Sequence, residues 1–437
     1  MKIFFKRTST PKRYSNLVEA SYSSRIVREI SGVEMFVLKS TPGNQIVSTF
    51  SVLGFTGFVI WYGIFFYCTF KANLEKQTIL RSIYNTKLDH YGDDFEEIAS
   101  IFYVLYGMIK IPIRISGNTR FMQGIVALDK ELENLGEIMD YNKSSFYALL
   151  IAIGQVLVFL SRMVCIWASL YNLNGVVPTE RLYQVVVTDE TALIISAHFC
   201  YYLVLLKDRW QRINKILSEI QARKSWEYKL FIRSKMAPNI KKVEELQERQ
   251  ICEKIRLCAK IYSMLYKSSK TLNKIFGFAL VLTMLLYLLY IILYMFYFME
   301  ATASGLFHEV TKFVDFLIYV FWQMSHALGI IYVNIYFVEG TLNEAKNTAY
   351  VIHEIINSDF SSAINNEALQ FSIQLLHQIP KFSPCGLFQL NYALLQQGAG
   401  SVTTYLVIVL QFITEGGAPS IQRALESEPL RSTSKPS

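Results

Sequence analysis

The last hydrophobic stretch of the chain reads Thr403-Thr404-Tyr405-Leu406-Val407-Ile408-Val409-Leu410-Gln411-Phe412. It closes an uncharged run that begins at Leu387, and a run of this length is sufficient for a helix to cross the hydrocarbon core of a bilayer. A side-chain amide is costly in hydrocarbon unless it meets a partner or water, so we expect Gln411 to face another helix or an aqueous path. The alternative is a packed last span with a polar end.

Composition places the chain among membrane proteins. Of its 437 residues, 52% are hydrophobic and 14% are aromatic, while only 18% are charged. Soluble domains carry about a quarter charged residues. The six cysteines form no CxxC pair, which argues against a disulfide scaffold or a zinc site, and we expect no cofactor and no metal. Residues 1–45 are basic and polar, so they do not form a cleavable signal peptide.

Seven hydrophobic stretches predict an all-α, polytopic membrane protein with seven transmembrane helices. A stretch of about 20 mostly apolar residues spans a bilayer as a helix. We place the spans at residues 46–70, 98–115, 146–171, 184–206, 275–299, 313–338 and 387–412.

The distribution of lysine and arginine predicts the orientation of the chain. Residues 1–45 and the connections that follow the second, fourth and sixth spans, the long one taken as residues 207–273, together carry 30 lysine and arginine residues, against nine on the opposite side. Because positively charged connections stay in the cytoplasm, we expect a cytoplasmic N-terminus and an extracellular C-terminus, the reverse of a G-protein-coupled receptor. The polar tail, residues 413–437, is expected to be extracellular and disordered.

Two segments between spans are predicted to form one helical anchor in the cytoplasm. In residues 207–273 apolar side chains recur at helical spacing, which predicts helices that extend the fourth and fifth spans beyond the membrane. Residues 339–386 offer matching amphipathic helices at Thr341–Asn357 and Ser362–Ile379. The alternative is a solvated basic loop that lies on anionic lipid.

Charged and aromatic side chains fall within the outer half of the predicted spans. Arg162 lies on a span joined by a short outer connection to the span that carries Asp189 and Glu190, so we expect an ion pair between Arg162 and one of these carboxylates. Convergent polar groups among aromatic side chains are typical of a small-molecule pocket. The candidate pocket residues are Tyr62, Tyr103, Tyr106, Arg162, Trp167, Asp189, Glu190, Trp322 and Gln323. The alternatives are an ion pair that only holds the bundle together and an interfacial belt of aromatic side chains.

One face of the last span is small or polar. Gln397, Ser401, Thr404, Ile408 and Gln411 recur every three or four residues, so they share one side of a helix. Such a face would line a water-filled path, with Ile408 as a constriction and Gln411 offering uncharged dipoles to permeating cations. The face carries no acidic residue, so we expect poor selectivity among cations. One helix cannot enclose a pore, and a path of this kind requires several copies around a symmetry axis.

The same stretch resembles a known signature. Thr404-Tyr405, five hydrophobic residues and Gln411-Phe412 match the TYhhhhhQF pattern of insect gustatory receptors, in which h is a hydrophobic residue. The preceding residues also resemble this family; they are Phe382, Cys385-Gly386-Leu387-Phe388, Leu390-Asn391 and Gly398.

The resemblance implies a function that composition and spacing do not. Insect gustatory receptors are tetrameric, ligand-gated, nonselective cation channels in the plasma membrane of sensory neurons, and their last span lines the pore. By resemblance, Ile408, Gln411 and Phe412 contribute to the pore and gate together with Thr404 and Ser401, while Tyr405 packs the pore helix on its own subunit. A small-molecule tastant would bind in the outer half of the first six spans. The chain would assemble as a homotetramer or with related receptor subunits.

Other functional classes are excluded or remain as alternatives. The sequence lacks GxSxG, Walker and HExxH motifs, so an enzyme is not expected, and its basic segment has no nucleic-acid motif. Leu406 stands where sugar receptors of the resembled family tend to carry an acidic residue, which argues against that branch. Bitter compounds are favoured, and the alternatives are another metabolite such as fructose or a non-taste stimulus. The alternatives to a channel are a multispan transporter, whose polar stripe is a packing seam, and an inverted seven-span receptor that signals through a cytoplasmic partner.

Overall fold

Long helices account for most of the fold. The computed structural model describes residues 14–41, 45–79, 87–231, 240–303, 309–358 and 360–426. In chain order the elements are α1 Leu17–Ala20, α2 Tyr22–Ile30, β1 Phe36–Ser40, β2 Ile46–Phe50, α3 Val52–Leu74, α4 Lys87–Asn134, α5 Tyr141–Asn174, α6 Thr179–Phe231, α7 Ile240–Ala303, α8 Val310–Ile356, α9 Ser362–His377 and α10 Tyr392–Glu426.

Within the described residues, five helices are long and apolar enough to cross a membrane: α3, α5, α6, α7 and α8. Helix α4 adds a sixth span when its two arms are taken together; the arms Asp94–Lys110 and Ile113–Asn134 meet at an angle of 58°. Pro112 lies between the arms, and proline interrupts a helix because it lacks the backbone N–H and its ring crowds the preceding turn. The seventh predicted stretch lies in α10 from Tyr392 onwards. The expected all-α polytopic fold is therefore present.

The first predicted span begins too early. Residues 46–50 form β2, which pairs with β1 in an antiparallel hairpin. Helix α3 begins only at Val52, where the Ser51 hydroxyl oxygen accepts a hydrogen bond from the backbone N–H of Gly54 at 3.1 Å. A short apolar strand that runs directly into an apolar helix has the same hydropathy as one longer span, so hydropathy alone does not separate the two.

Helix α2 packs directly on α3 through glycine residues. A Cβ atom at Gly57 would lie 2.5 Å from the backbone oxygens of Glu29 and Ile30. A Cβ atom at Gly54 would lie 2.2 Å from the backbone oxygen of Glu34. These distances are shorter than any real contact, so the approach of the two backbones requires glycine at both positions. The segment before the first span is therefore folded against that span.

The last helix begins later than predicted. A turn of 3₁₀-helix at Pro384–Gly386 carries positive φ angles at Cys385 (50°) and Gly386 (77°). Left-handed backbone cannot continue a right-handed helix. Helix α10 starts only at Tyr392, where the Asn391 side-chain oxygen accepts a hydrogen bond from the backbone N–H of Leu394 at 3.2 Å and caps the helix.

The far end of α10 also differs from the expectation. The helix continues past residue 412 to Glu426, where the sequence predicts a disordered tail. Gly416, Gly417 and Pro419 lie in this stretch and disfavour helix, so the intrinsic propensity of the residues does not account for the extension. Residues 427–437 of the predicted tail lie outside the described residues.

Helix α6 is the central helix of the spanning region. In its apolar window 78% of the residues are buried, against 22% in α5. Helix α6 is therefore enclosed by other helices, whereas α5 turns most of its apolar surface outward, as a helix facing lipid does.

Three spanning helices, α6, α7 and α8, continue past the spanning region and form a second bundle with α9. We call it the extension bundle; it consists of residues 207–231, 240–273, 339–356 and 362–377 of α6, α7, α8 and α9. In its core, the ring of Tyr262 lies 6.3 Å from that of Trp210 and 5.9 Å from that of Phe371, measured between centroids. The predicted helix Thr341–Asn357 is not separate, because α8 runs without a break from the sixth span into the extension bundle.

Candidate functional site

Three polar side chains from three helices meet inside the spanning bundle. Arg162 comes from α5, Asp189 from α6 and Gln323 from α8, and all three are buried. The Arg162 Nη2 nitrogen donates hydrogen bonds to the Asp189 carboxylate and to Gln323 Oε1. The predicted ion pair therefore forms with Asp189, and Gln323 joins it. A buried charge persists when it is paired and hydrogen-bonded in this way.

Tyrosine side chains complete this arrangement. The Gln323 Nε2 amide donates to the hydroxyl oxygens of Tyr294 and Tyr319, each at 3.1 Å. The Tyr287 hydroxyl donates to Asp189 Oδ1 at 3.3 Å. We use the name polar cluster for Arg162, Asp189, Gln323, Tyr287, Tyr294, Tyr319 and His326.

Our sequence reasoning missed these tyrosines, although a signal for them exists. Tyr287, Tyr290, Tyr294 and Tyr297 are spaced by three, four and three residues, which places them on one face of α7, and all four are buried. A buried tyrosine hydroxyl usually finds a hydrogen-bond partner. A row of hydroxyls at helical spacing in an uncharged span therefore indicates a polar face inside the bundle.

A small cavity of about 10 Å³ adjoins the polar cluster between α5, α6 and α8. Its polar lining consists of Arg162, Glu190 and His326. The His326 Nε2 nitrogen also lies 3.3 Å from the Tyr287 hydroxyl oxygen. The rest of the wall is apolar and consists of Val158, Phe159, Met163, Val186 and Leu193. Glu190, the second partner considered for Arg162, faces this cavity.

The other aromatic candidates lie elsewhere in the interior. The Tyr103 hydroxyl is buried and lies 2.7 Å from Thr283 Oγ1. Tyr62 belongs to a separate apolar cluster near the first span, and the ring of Tyr106 packs against α7. Trp322 is half-buried beside the apolar residues of α8. These four side chains form no hydrogen bond with the polar cluster among the contacts of the described residues.

Trp167 does not line the interior. It is 44% exposed, whereas Ile166 and Leu170 of the same helix are buried. Successive helix residues turn by about 100°, so the inward face of α5 passes through Ile166 and Leu170 and leaves Trp167 outside. An outward tryptophan on a spanning helix matches the aromatic belt that we considered as the alternative.

The predicted polar stripe lies on the outward face of α10. Gln397, Ser401, Thr404, Ile408 and Gln411 are all exposed. The stripe therefore faces away from the subunit that carries it. The side chain of Phe412, the last predicted pore residue, lies outside the described side chains.

Tyr405 does not pack on its own subunit, contrary to what the resemblance implied. Its side chain is 54% exposed, whereas that of Leu406 is 8% exposed. Leu406 belongs to the apolar cluster that contains Tyr287 and Tyr319. Side chains at adjacent helix positions point in directions that differ by about 100°. Leu406 therefore points toward the bundle while Tyr405 points outward.

A large groove separates α10 from α7 and α8. Its volume is about 1090 Å³, and its lining is almost entirely apolar, with Leu288, Leu328, Leu395 and Val402 as examples. Much of the inward face of α10 is therefore uncovered by helices of the same subunit.

Comparison with known proteins decides the family. The sequence profile described as "7tm Chemosensory receptor" matches residues 35–415. The chain belongs to the 7tm chemosensory receptor family. Relatives of this chemosensory receptor include two Drosophila melanogaster proteins called gustatory receptor 28b and gustatory receptor 28a. The first is 24% identical over 353 residues, which cover 77% of this chain and 73% of the relative. The second is 22% identical over 414 residues, which cover 87% of this chain and 88% of the relative.

Solved structures support the same fold. The insect olfactory receptor OR5 from Machilis hrabei matches with a TM-score of 0.53 and 11% identity, over 90% of this chain and 97% of that chain. The same olfactory receptor in complex with eugenol matches with a TM-score of 0.54 and 11% identity, over 90% of this chain and 98% of that chain.

The resemblance seen in the last span is thereby confirmed, and the chemosensory receptor is a multi-pass membrane protein of a seven-span family. Its family is one of receptors and not of enzymes. In this chemosensory receptor the signature residues lie in α10, and the polar cluster lies among α5, α6, α7 and α8. Of these two polar regions, the stripe of α10 is exposed and the polar cluster is buried.

Proposed function

We propose that this chemosensory receptor is a gustatory-type, ligand-gated, nonselective cation channel, opened by a small-molecule tastant bound in the outer half of its helix bundle. The observation that carries the proposal is the exposed polar stripe of α10. A spanning helix that turns Gln397, Thr404 and Gln411 outward is unfavourable against lipid tails. The same face suits a water-filled path enclosed by several subunits.

The extension bundle supports assembly from several copies. Leu369, Ile373 and Leu376 are exposed and spaced by four and three residues, so they form an apolar stripe along α9. A contiguous apolar stripe in water favours a partner that covers it. We infer that subunits meet there, as a homotetramer or together with related receptor subunits, around an axis lined by α10.

The charge distribution supports the orientation. The extension bundle carries the long basic segment 207–273, and basic segments stay on the cytoplasmic side. The extension bundle and the N-terminus would then be cytoplasmic, and the polar cluster would lie in the outer half of the spans. We place the receptor in the plasma membrane of sensory neurons by its gustatory relatives.

The polar cluster and the aromatic side chains around it support a small-molecule ligand. A site of this kind combines apolar walls with a few fixed polar groups. The olfactory receptor OR5 has been solved in complex with eugenol, a small aromatic molecule, on the same fold. For the present receptor we infer a tastant of bitter type, with Leu406 as the argument against a sugar.

The test is whole-cell current from the full chain expressed alone and challenged with a panel of bitter compounds and sugars. We expect a ligand-evoked cation current whose single-channel conductance or ion preference changes in Gln411→Ala. Thr403→Ala is the matched control, because Thr403 is a polar residue of the same helix that lines the groove and not the stripe. The single-channel conductance of the Thr403→Ala receptor should equal that of the wild type.

Two results would contradict the proposal. Absence of current from protein shown to be at the cell surface, also when related receptor subunits are co-expressed, would favour the transporter or the partner-coupled receptor. An evoked current with identical conductance in wild type and Gln411→Ala would remove Gln411 from the pore.

A further inference from the structure

Glu190 has no partner of its own beside the polar cluster. Its side chain lines the small cavity with Arg162 and His326, and among the described residues it makes no hydrogen bond or ion pair. Arg162 uses its Nη2 nitrogen for Asp189 and Gln323. The Arg162 Nε nitrogen is buried and has no hydrogen-bond partner among the described residues. A partly buried carboxylate without a direct hydrogen-bond or ion-pair partner is costly.

The charges around Glu190 do not balance. Arg162 is paired with Asp189. The second arginine nearby, Arg181, lies 4.0 Å from Glu96 and 3.8 Å from Glu97. Each arginine thus already faces at least one carboxylate, and Glu190 shares the single charge of Arg162 with Asp189. A bound cation would supply the missing charge.

The shape of the cavity limits what that cation is. A volume of about 10 Å³ accepts one group of the size of a water molecule, such as an ammonium nitrogen. Apart from Arg162, Glu190 and His326 its walls are apolar, and they include Phe159, an aromatic side chain of the kind that attracts organic cations. Val158, at the outer side of the cavity, is exposed, so a ligand body larger than the cavity has a direction in which to extend.

We propose that Glu190 recognises ligands in which a protonated amine is attached to an apolar body. The ammonium group would occupy the cavity beside the Glu190 carboxylate, and the apolar body would lie against Phe159, Met163 and Leu193. This inference rests on the proposed function, since it names the ligand class of the same receptor.

The test compares two probes of the same shape, benzylamine and ethylbenzene. The first is protonated at neutral pH, and the second replaces its nitrogen by a carbon. Binding to the purified full-length receptor is followed by the shift in its melting temperature and, in parallel, by evoked current. We expect the amine to bind the wild type at least about tenfold more tightly than the hydrocarbon, the ratio that one charged hydrogen bond provides. Glu190→Gln should abolish this preference.

Two further variants and one measurement without ligand make the result specific. Glu190→Asp keeps the charge and should keep a reduced preference for the amine. Glu219→Gln changes an exposed carboxylate of the same helix and should behave as the wild type. Without ligand, Glu190→Gln should melt no lower than the wild type, because the carboxylate has no partner to lose. A Glu190→Gln protein that does not fold would overturn the idea that the carboxylate is unpaired.

The outcomes separate this inference from the proposed function. Equal binding of both probes to the wild type, or an unchanged preference in Glu190→Gln, would overturn the role of Glu190 while currents evoked by other tastants still supported the channel. A receptor that binds the amine through Glu190 but passes no current would contradict the channel and leave the ligand class intact.

Discussion

Arg162 shows what a guanidinium needs in order to lie inside a membrane-spanning bundle. Its charge meets the Asp189 carboxylate, and its Nη2 nitrogen has a second acceptor in Gln323. Taking charges out of water is costly, and the pair is stable only while both members are present. Loss of one partner should therefore destabilise the fold more than loss of both partners.

We expect Arg162→Met and Asp189→Asn each to lower the free energy of unfolding by about 3–5 kcal/mol, because each leaves the opposite charge buried and unpaired. The double variant should lose less than the sum of the two single losses. Denaturation of the purified receptor in detergent measures all three. Lys215→Met and Glu219→Gln, which remove an exposed pair, serve as the control cycle and should be additive. Strict additivity for Arg162 and Asp189 would show that their contact does not stabilise the fold.

At the residue scale, the sequence predicts the positions of charged side chains within the bundle better than those of aromatic side chains. Arg162 and Asp189 stand out because a charge within an apolar run requires a partner. A tyrosine or tryptophan in such a run fits a pocket and a lipid-facing belt equally well, since the difference lies in the rotation of the helix about its axis. That rotation depends on packing between helices, which is why Tyr294 was missed and Trp167 was placed inside.

At the scale of the element, the start of each helix is decided by features that hydropathy does not register. The strand at residues 46–50 and the helix that follows are both apolar, so the prediction merged them. Pro384 predicts an interruption of the helix before the last span. Cysteine has no intrinsic preference for the left-handed backbone conformation that Cys385 adopts. This conformation follows from the packing of the turn, and the sequence alone placed the helix start at Leu387.

The contact between α2 and α3 gives a prediction with an internal control. Gly57→Ala should lower the free energy of unfolding by about 1–3 kcal/mol, because the added methyl group meets the backbone oxygens of Glu29 and Ile30. Gly63→Ala lies on the same helix with nothing within 4 Å of its Cβ position. It should be neutral or stabilise by about 0.5–1 kcal/mol through helix propensity. Thermal unfolding compares the two, and equal melting temperatures would mean that α2 does not dock on α3.

At the scale of the whole molecule, the apolar stripe of α9 predicts how the receptor assembles. Ile373→Asp places a carboxylate in the middle of the stripe, and burying an unpaired charge between subunits is costly. We expect the tetrameric species to fall by at least about tenfold, in line with ~1.4 kcal/mol or more. Mass photometry of the detergent-solubilised receptor measures the distribution. Gln370→Asp adds the same charge to an exposed position beside the stripe and should leave the tetramer intact.

The number of spans and the presence of helices beyond them could be predicted from the sequence, because both follow from the periodicity and length of apolar runs. The groove behind α10 could not be predicted. Leu288, Leu328 and Leu395 line it, yet each belongs to an apolar stretch that predicts close packing in a span. Whether two apolar faces touch depends on helix crossing geometry, which is a property of the assembled bundle.

The unbroken course of α8 has a mechanical consequence. Its 47 residues form one rod that carries Gln323 in the polar cluster and Ile352 in the core of the extension bundle. At ~1.5 Å per residue the two positions are roughly 40 Å apart, so a tilt of about 3° at one moves the other by about 2 Å. A lever of this kind has no joint in which to absorb a displacement. Any rearrangement of Gln323 that tilts α8 therefore also displaces the extension bundle, where the subunits would meet.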